Sequence, residues 1–125
     1  MLPSQGTLRL MAPPSRNVLP QLRRGVLEFC VLALLGEGER YAYDIVEDLG
    51  ATDGLVTSEG TIYPLLSRLR RDELVATSWR ESEQGPPRRY YRLTPSGAEA
   101  LARFVEDWAR FRDSVDQLVN PRGTS

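Results

Sequence analysis

Residues 57–93, TSEGTIYPLLSRLRRDELVATSWRESEQGPPRRYYRL, decide the fold of this chain of 125 residues. In the first third of the stretch, apolar residues recur at the i, i+3, i+4, i+7 spacing of one buried helix face. They are Ile62, Leu65, Leu66 and Leu69. The opposite face carries small residues and arginines, so this helix can approach a second surface closely, and the major groove of DNA admits such a helix. The pattern predicts an exposed recognition helix that Thr57 or Ser58 caps.

A β-hairpin with a basic tip is predicted to follow this helix. Residues 74–79 and 88–93 are rich in β-branched and aromatic side chains, whereas the Gly-Pro-Pro of residues 85–87 excludes regular structure between them. The returning strand contains Arg88, Arg89 and Arg92. Taken alone, such a hairpin is typical of an ordinary solvated surface. Directly after an exposed helix, it predicts a winged helix, in which the helix reads base edges and the wing contacts phosphates.

Eight residues of the helix and the wing are predicted to contact DNA. Six lie at the start or on the outer face of the helix and would meet the major groove or its rims, while two arginines of the wing would reach phosphates. The eight are Ser58, Thr61, Tyr63, Pro64, Ser67, Arg68, Arg88 and Arg89.

Short motifs in and around this stretch are more specific than its periodicity. Residues 60–64 read GTIYP, residues 72–74 read DEL and residues 88–94 read RRYYRLT, and the set is completed by Arg68, Leu69, Trp79 and Gly97. In these motifs the chain resembles the PadR family of bacterial transcriptional regulators. The resemblance implies a winged-helix regulator that binds double-stranded DNA. The sequence departs from the family pattern at Glu73, where the family usually has a glycine that closes the helix.

The chain is nearly neutral overall, but its basic residues are concentrated in one segment. Sixteen basic and seventeen acidic residues give a net charge of −1, but residues 68–92 hold seven arginines against four acidic residues. A basic wing of this kind can bind phosphate on a protein that is not basic overall. The chain has no histidine and a single cysteine, so intramolecular disulfides and the usual zinc sites cannot form. We find no catalytic residues, metal ligands or cofactor motif, and therefore expect a protein that is not an enzyme.

The first 20 residues contain four prolines and no continuous apolar core. They match neither a signal peptide nor a membrane span, so we expect a cytoplasmic protein that does not associate with membranes. Residues 1–20 are predicted to form a disordered arm and residues 120–125 a disordered tail. The arm is either idle or contacts DNA through Arg9 and Arg16.

Two helices are predicted before the recognition helix, which completes a winged-helix DNA-binding domain over residues 21–94. The first spans residues 21–35, and because it is apolar nearly all round from Val26 onwards, we expect it to be buried on two sides. Cys30 lies in this run and is interpreted as a small buried residue, the alternative being a redox sensor. The second helix spans residues 41–49. Its predicted inward face consists of Tyr41, Ala42, Ile45, Val46 and Leu49.

A long helix over residues 95–119 is predicted to form a homodimer. Thr94 can cap this helix, and Pro95 occupies the favoured first position. Its apolar residues alternate at spacings of three and four, which is the heptad pattern of a helix–helix seam. The seam consists of Leu101, Phe104, Trp108, Phe111, Val115 and Leu118. Because so long a helix cannot pack entirely on a small wing domain, we expect the seam to meet a second copy of the chain.

Trp108 has two interpretations. In the first, it fills the core of the dimer. In the second, which the family resemblance implies, it faces its symmetry mate across a cleft that binds planar aromatic molecules, as in short members of the family. The residues of this cleft would be Phe29, Phe104, Trp108, Phe111 and Arg112. Arg112 would favour an anionic ligand if its side chain faces inward.

Two classes of function stay open. The first is a homodimeric, sequence-specific repressor that binds an inverted repeat in double-stranded DNA and is released by an aromatic effector. The second is a winged helix that docks a protein partner with the same surface. Salt-dependent DNA binding would distinguish the first class from the second.

Overall fold

The computed structural model describes residues 19–52, 55 and 58–122, and within them four helices and three short strands. The helices are α1 (Leu19–Gly36), α2 (Ala42–Gly50), α3 (Glu59–Arg71) and α4 (Pro95–Val119). The strands are β1 (Arg40–Tyr41), β2 (Val75–Arg80) and β3 (Arg88–Leu93). Helices α2 and α3, the β2–β3 hairpin and the long final helix confirm the predicted fold class, a winged helix-turn-helix that is mainly α-helical.

The ends of the chain are described only in part. Helix α1 begins at Leu19, so residues 19 and 20 are helical although they were expected to belong to the disordered arm. The rest of that arm, with Arg9 and Arg16, lies outside the described residues. At the other end, Asn120 caps α4 and residues 121–122 form a turn, while residues 123–125 of the predicted tail lie outside the described part.

The sheet contains a strand that the sequence did not predict. Its order is β1-β3-β2 and both pairings are antiparallel, with Arg40 opposite Tyr91 and Tyr41 opposite Tyr90. Tyr41 therefore lies in a strand, and its assignment to the second helix was wrong. The physical reason is that the second edge of β3 would otherwise leave backbone N–H and C=O groups unpaired, and two residues before α2 satisfy them.

The hydrophobic core lies between the helices and one face of the sheet. Its buried side chains come from α1, α2, α3, β2 and β3, and include all four residues of the predicted apolar face of α3. Helix α1 contributes Leu27, Val31, Leu32 and Leu35. Phe29, Cys30 and Leu34 of α1 flank these residues, pack against the core and are half-buried. Within one chain, α1 thus packs against the core on one side and against α4 through Phe29, whose ring is stacked on that of Phe104. Burial raises the pKa of the Cys30 thiol.

Helix α3 ends in a Schellman motif with Glu73 in the left-handed conformation. The N–H of Glu73 donates to the carbonyl of Arg70 at 3.0 Å, and the N–H of Leu74 donates to the carbonyl of Leu69 at 3.0 Å. The φ angle of Glu73 is +63°, the one positive value of a non-glycine residue in the described ranges. A side chain at this position is strained, which explains why glycine is usual there. Despite this strain, α3 ends at Arg71, and the first strand of the hairpin begins at Val75.

The start of α4 is fastened to the end of α3 and the start of β2. Thr94 caps α4 as predicted, because its hydroxyl oxygen accepts the N–H of Gly97 at 3.0 Å. The same hydroxyl donates to the carbonyl of Glu73 at 2.7 Å. A Cβ atom on Gly97 would lie 2.1 Å from the carbonyl oxygen of Leu74, so only glycine allows this approach. Helix α4 therefore leaves the wing from a tightly packed junction.

Candidate nucleic-acid interface

The outer face of α3 presents the six residues predicted for the recognition helix. All six are exposed: Ser58, Thr61, Tyr63, Pro64, Ser67 and Arg68. Ser58 is the N-cap residue, but its hydroxyl accepts no hydrogen bond from the backbone and lies 3.4 Å from the hydroxyl of Thr61. The two hydroxyl groups thus stand side by side at the tip of the helix, where each can still donate or accept.

Two tyrosines, Tyr63 on the outer face of α3 and Tyr43 on α2, influence each other electrostatically. Tyr63 of α3 has a pKa raised by partial burial and then by the carboxylate of Glu59, and Tyr43 of α2 contributes to the same shift. The carboxylate of Glu47 raises the pKa of Tyr43 itself. Both phenols therefore stay protonated at neutral pH and can donate hydrogen bonds. Sequence reasoning missed Tyr43, because its place beside Tyr63 depends on the packing of α2 against α3.

Arg68 is held by an acidic residue of another helix. Its guanidinium group pairs with the carboxylate of Glu28 on α1. Both side chains stay partly accessible, so the pair is screened by solvent and contributes little to stability. The pair instead fixes the position of the Arg68 side chain, which lies between α1 and the outer face of α3.

The two predicted wing arginines, Arg88 and Arg89, lie on opposite faces of the hairpin. Successive residues of a strand point to opposite faces, and the contacts agree with this rule. The guanidinium carbon of Arg88 lies 4.7 Å from the ring centre of Tyr41, on the face away from the core. That of Arg89 lies 4.7 Å from the ring centre of Trp79, on the face that Tyr91 continues into the core. Each arginine is thus supported by an aromatic ring of a neighbouring strand.

The charges of the wing are only partly neutralised. Arg80, which is paired with Arg88 across the hairpin, forms an ion pair with Glu39. Among the residues that the structure describes, Arg88 and Arg89 have no acidic partner. The wing therefore carries, next to its tip, two arginines that form no ion pair and can contact phosphate, although Glu81 and Glu83 lie in the tip itself.

The aromatic residues predicted for the cleft form a continuous ladder from α1 along α4. The rings of Phe29 and Phe104 are stacked at 4.2 Å between centres and 3° between planes. Phe104 and Trp108 follow at 6.0 Å, and Trp108 and Phe111 at 6.3 Å. The four aromatic rings of α1 and α4 are thus in contact one after another within one chain. Their ends, Phe29 and Phe111, are more than 80 positions apart in the sequence.

An open cavity of about 350 Å³ lies beside the far end of this ladder. It is lined mainly by apolar side chains of α1 and α4, and by Leu55 of the α2–α3 loop. The lining residues are Leu22, Arg23, Val26, Leu55, Trp108, Phe111, Arg112, Val115 and Asp116. Phe29 and Phe104 stack behind the cavity without lining it. Arg112 does line it, but the Arg112 Nε–H donates to the carboxylate of Asp113 at 3.1 Å, and Asp116 also faces the cavity. These carboxylates offset the preference for an anion that Arg112 alone suggested.

The second half of the α4 seam is more exposed than the first half. Leu101 and Phe104 are half-buried against the rest of the chain. Further along, the exposed fraction is 37% for Trp108, 63% for Phe111 and 83% for Leu118. The second half of α4 therefore carries a row of large apolar side chains that this chain does not cover.

Metal sites and membrane spans are both absent from the described ranges. No group of three or more histidine, cysteine or acidic side chains there could hold a metal ion. No helix in those ranges combines the length and the hydropathy that crossing a membrane requires.

Comparison with known proteins gives consistent matches. The model of the transcriptional regulator PadR-like family matches residues 31–103. A curated relative, the transcriptional regulator Rv3488 of Mycobacterium tuberculosis, is 32% identical over 93 residues, which are 72% of this chain and 85% of the relative.

Solved structures match over most of their length. A PadR-like transcriptional regulator from Bacillus cereus has a TM-score of 0.73 and 35% identity, over 80% of this chain and 97% of the other. A PadR family regulator from Eggerthella lenta has a TM-score of 0.74 and 34% identity, over 82% of this chain and 89% of the other.

Proposed function

The chain belongs to the PadR-like family of transcriptional regulators, and on that premise we propose that it is a homodimeric repressor that binds an inverted repeat in double-stranded DNA. As a member of this family it is a DNA-binding regulator of transcription and not an enzyme. The proposal adds three points to family membership: the protein is a dimer, its operator is an inverted repeat, and it represses transcription.

One observation carries the proposal: α4, whose second half carries the uncovered seam, begins directly behind the wing. Thr94 links the end of β3 to the start of α4, and Gly97 lies against the carbonyl of Leu74, directly before β2. Two copies that join along the second half of α4 would therefore hold two recognition surfaces at a set distance. A two-fold dimer of this kind would bind two half-sites about one helical turn of DNA apart.

The two parts of the recognition surface would divide the contacts with DNA. The outer face of α3, with Thr61, Tyr63 and Pro64 at its start, would enter the major groove and read base edges. Arg88 would contact phosphates beside it, which adds affinity without sequence preference. A regulator bound in this way at a promoter would exclude the polymerase, so we assign repression as the direction of regulation.

The test is a gel shift of the purified protein on the DNA upstream of its gene, at several salt concentrations. The proposal expects a specific complex that holds two chains, with scrambled DNA bound much more weakly. Replacing Arg88 with alanine should weaken binding to all sequences alike and reduce the slope of log affinity against log salt by about 0.9. Equal affinity for operator and scrambled DNA would instead support a winged helix that docks a protein partner.

A second part of the proposal concerns an effector. The aromatic ladder and the adjoining cavity of about 350 Å³ favour a planar aromatic molecule bound at Trp108. Because α4 connects this place to the wing, a molecule wedged there would change the spacing of the two recognition surfaces. Only a molecule that binds the two spacings with different affinity could release DNA.

Tryptophan fluorescence tests the effector. An aromatic compound that binds at Trp108 should quench emission in wild type and in Trp79→Phe, but not in Trp108→Ala, and it should release DNA. If a broad panel of such compounds changes neither fluorescence nor DNA binding, Trp108 serves only as dimer core.

A further inference from the structure

The end of the hairpin carries a stacked pair of residues, and the phosphate contact predicted for Arg89 does not explain why the ring of Trp79 is exposed beside it. Trp79 and Arg89 are direct partners across β2 and β3, and the guanidinium group lies over the indole ring at 4.7 Å. Trp79 is 62% exposed, although a large apolar ring on a surface gains nothing from water. Other strongly exposed aromatic rings, such as that of Phe111, belong to the seam of α4, whereas Trp79 lies far from it in the fold, on the wing.

Arg89 is charged, planar and unpaired. Its Nε atom is buried with no hydrogen-bond partner, and no acidic residue in the described ranges forms an ion pair with it. The neighbouring Arg80, by contrast, pairs with Glu39. The indole ring covers one side of the Arg89 guanidinium plane, so Arg89 has already lost part of its hydration and its conformational freedom.

Arg89 lies on the face of the hairpin that packs against the helices. Strand β1 pairs only with residues 90 and 91 of β3, so Arg89 is the first residue beyond the three-stranded part of the sheet. It shares a face with Tyr91, which is buried in the core under the helices. Arg88 shares the other face with Tyr90 and leans back over Tyr41. Strand β2 packs against α3, so a recognition helix in the major groove would bring the face of the hairpin that carries Arg89 close to the adjacent minor groove.

From this geometry we propose that Trp79 is a positioning residue that presents Arg89 to the minor groove beside the α3 site, so that the pair selects A·T base pairs there. This rests on the proposed DNA-binding function and adds a specificity element to it. A narrow A·T-rich minor groove has an enhanced negative potential that attracts arginine. The guanine N2 amino group, which projects into the minor groove of G·C pairs, obstructs the same approach. An arginine that is already flat and partly dehydrated enters such a groove at a lower cost.

The experiment varies only the base pairs under the wing. A footprint of the wild-type protein first locates its major-groove core sequence and the flanking pairs that the wing covers. Three duplexes then share that core and carry A·T, G·C or inosine·cytosine pairs in the flank. Inosine lacks the N2 amino group but presents the same major-groove edge as guanine, so it isolates readout of the minor groove. Affinities are measured for wild type, Arg89→Ala, Trp79→Leu, Trp79→Phe and Arg88→Ala.

Wild type should bind the A·T and inosine·cytosine flanks about tenfold more tightly than the G·C flank, which corresponds to one good base contact. Arg89→Ala and Trp79→Leu should both bring this ratio close to one, while Trp79→Phe keeps an aromatic support and should retain most of it. Arg88→Ala is the matched control, because it should lower all three affinities and leave the ratio unchanged. In a Trp108→Phe background, where Trp79 is the sole tryptophan, DNA binding should also change its fluorescence.

Several results would overturn the inference. A wild-type ratio near one, a clear difference between the A·T and inosine·cytosine flanks, or an unchanged ratio in Trp79→Leu would each do so. Specific binding of the core without flank preference would remove this inference alone. If wild type bound no core sequence in preference to scrambled DNA, both the proposed function and the minor-groove role would fall.

Discussion

The carboxylate of Glu28 on α1 pairs with the guanidinium group of Arg68 on α3, 40 residues further along the chain. Glu28 directly precedes Phe29, whose ring is stacked on that of Phe104 in α4. The outer face of the recognition helix is thereby joined, through two neighbouring residues of α1, to the aromatic ladder at the proposed dimer interface.

Replacing Glu28 with glutamine should strengthen DNA binding at low salt. The substitution frees Arg68 from its carboxylate partner, so one further arginine can contact phosphate. The slope of log affinity against log salt should become steeper by about 0.9, measured by fluorescence anisotropy over a salt series. Glu37→Gln is the matched control, since it removes the same charge from an ion pair with Arg40 that lies away from α3. Identical slopes for the two variants would show that Arg68 does not reach DNA.

Replacing Val115 with aspartate should convert the dimer to a monomer. Val115 lies on the α4 seam and is 37% exposed in the single chain, so the charge is tolerated by a monomer but becomes unpaired and buried in a dimer. Sedimentation at micromolar concentration measures the change, and DNA affinity should fall with it. Ala102→Asp, on the exposed opposite face of α4, should stay dimeric. A wild-type protein that sediments as a monomer would contradict the seam as an interface.

Gly97→Ala should destabilise the junction of α4 and the wing. The new Cβ atom would lie 2.1 Å from the carbonyl oxygen of Leu74 and 2.9 Å from a methyl group of Leu93, so the backbone must shift. Overpacking of this kind costs about 1–3 kcal/mol in the free energy of unfolding, measured by denaturant titration. Gly50→Ala is the control, because a Cβ atom at that position would meet nothing within 4 Å, and the stability of this variant should be unchanged or slightly higher. Equal stability of the two variants would exclude the close approach at Gly97.

Glu73→Gly should stabilise the protein. Glu73 has a φ angle of +63°, a conformation that costs an L-residue about 1–2 kcal/mol and glycine very little. Because glycine also gains freedom in the unfolded chain, the net gain should be below about 1 kcal/mol, seen as a higher melting temperature. The same substitution at Glu83, where φ is not positive, should give no gain. A lower melting temperature for Glu73→Gly than for Glu83→Gly would contradict the strain at the end of α3.

The parts of the fold that could be predicted are those fixed by local pattern. The apolar face of α3 repeats strictly, and all four of its residues are buried. Thr94 and Pro95 mark the start of α4, because capping chemistry acts within one helical turn. The hairpin could also be predicted from local pattern, because residues 85–87 interrupt two strand-like segments.

The parts that could not be predicted depend on partners distant in sequence. Strand β1 is two residues long, and only its pairing with Tyr90 and Tyr91 makes it a strand. The pairing of Arg68 with Glu28, and the stacking of Arg88 on Tyr41 of β1, depend on how helices and strands meet. The cavity beside Trp108 was predicted only in part, because Leu55 reaches it from a loop with no periodic pattern.

The most direct measurement is a footprint, combined with the stoichiometry of the complex, for the purified protein on the DNA upstream of its own gene. Two protected half-sites about one helical turn apart, filled together by two chains, are the expected result. Protection without a two-fold pattern, a complex that contains one chain, or equal affinity for a scrambled duplex would contradict a dimeric, sequence-specific regulator.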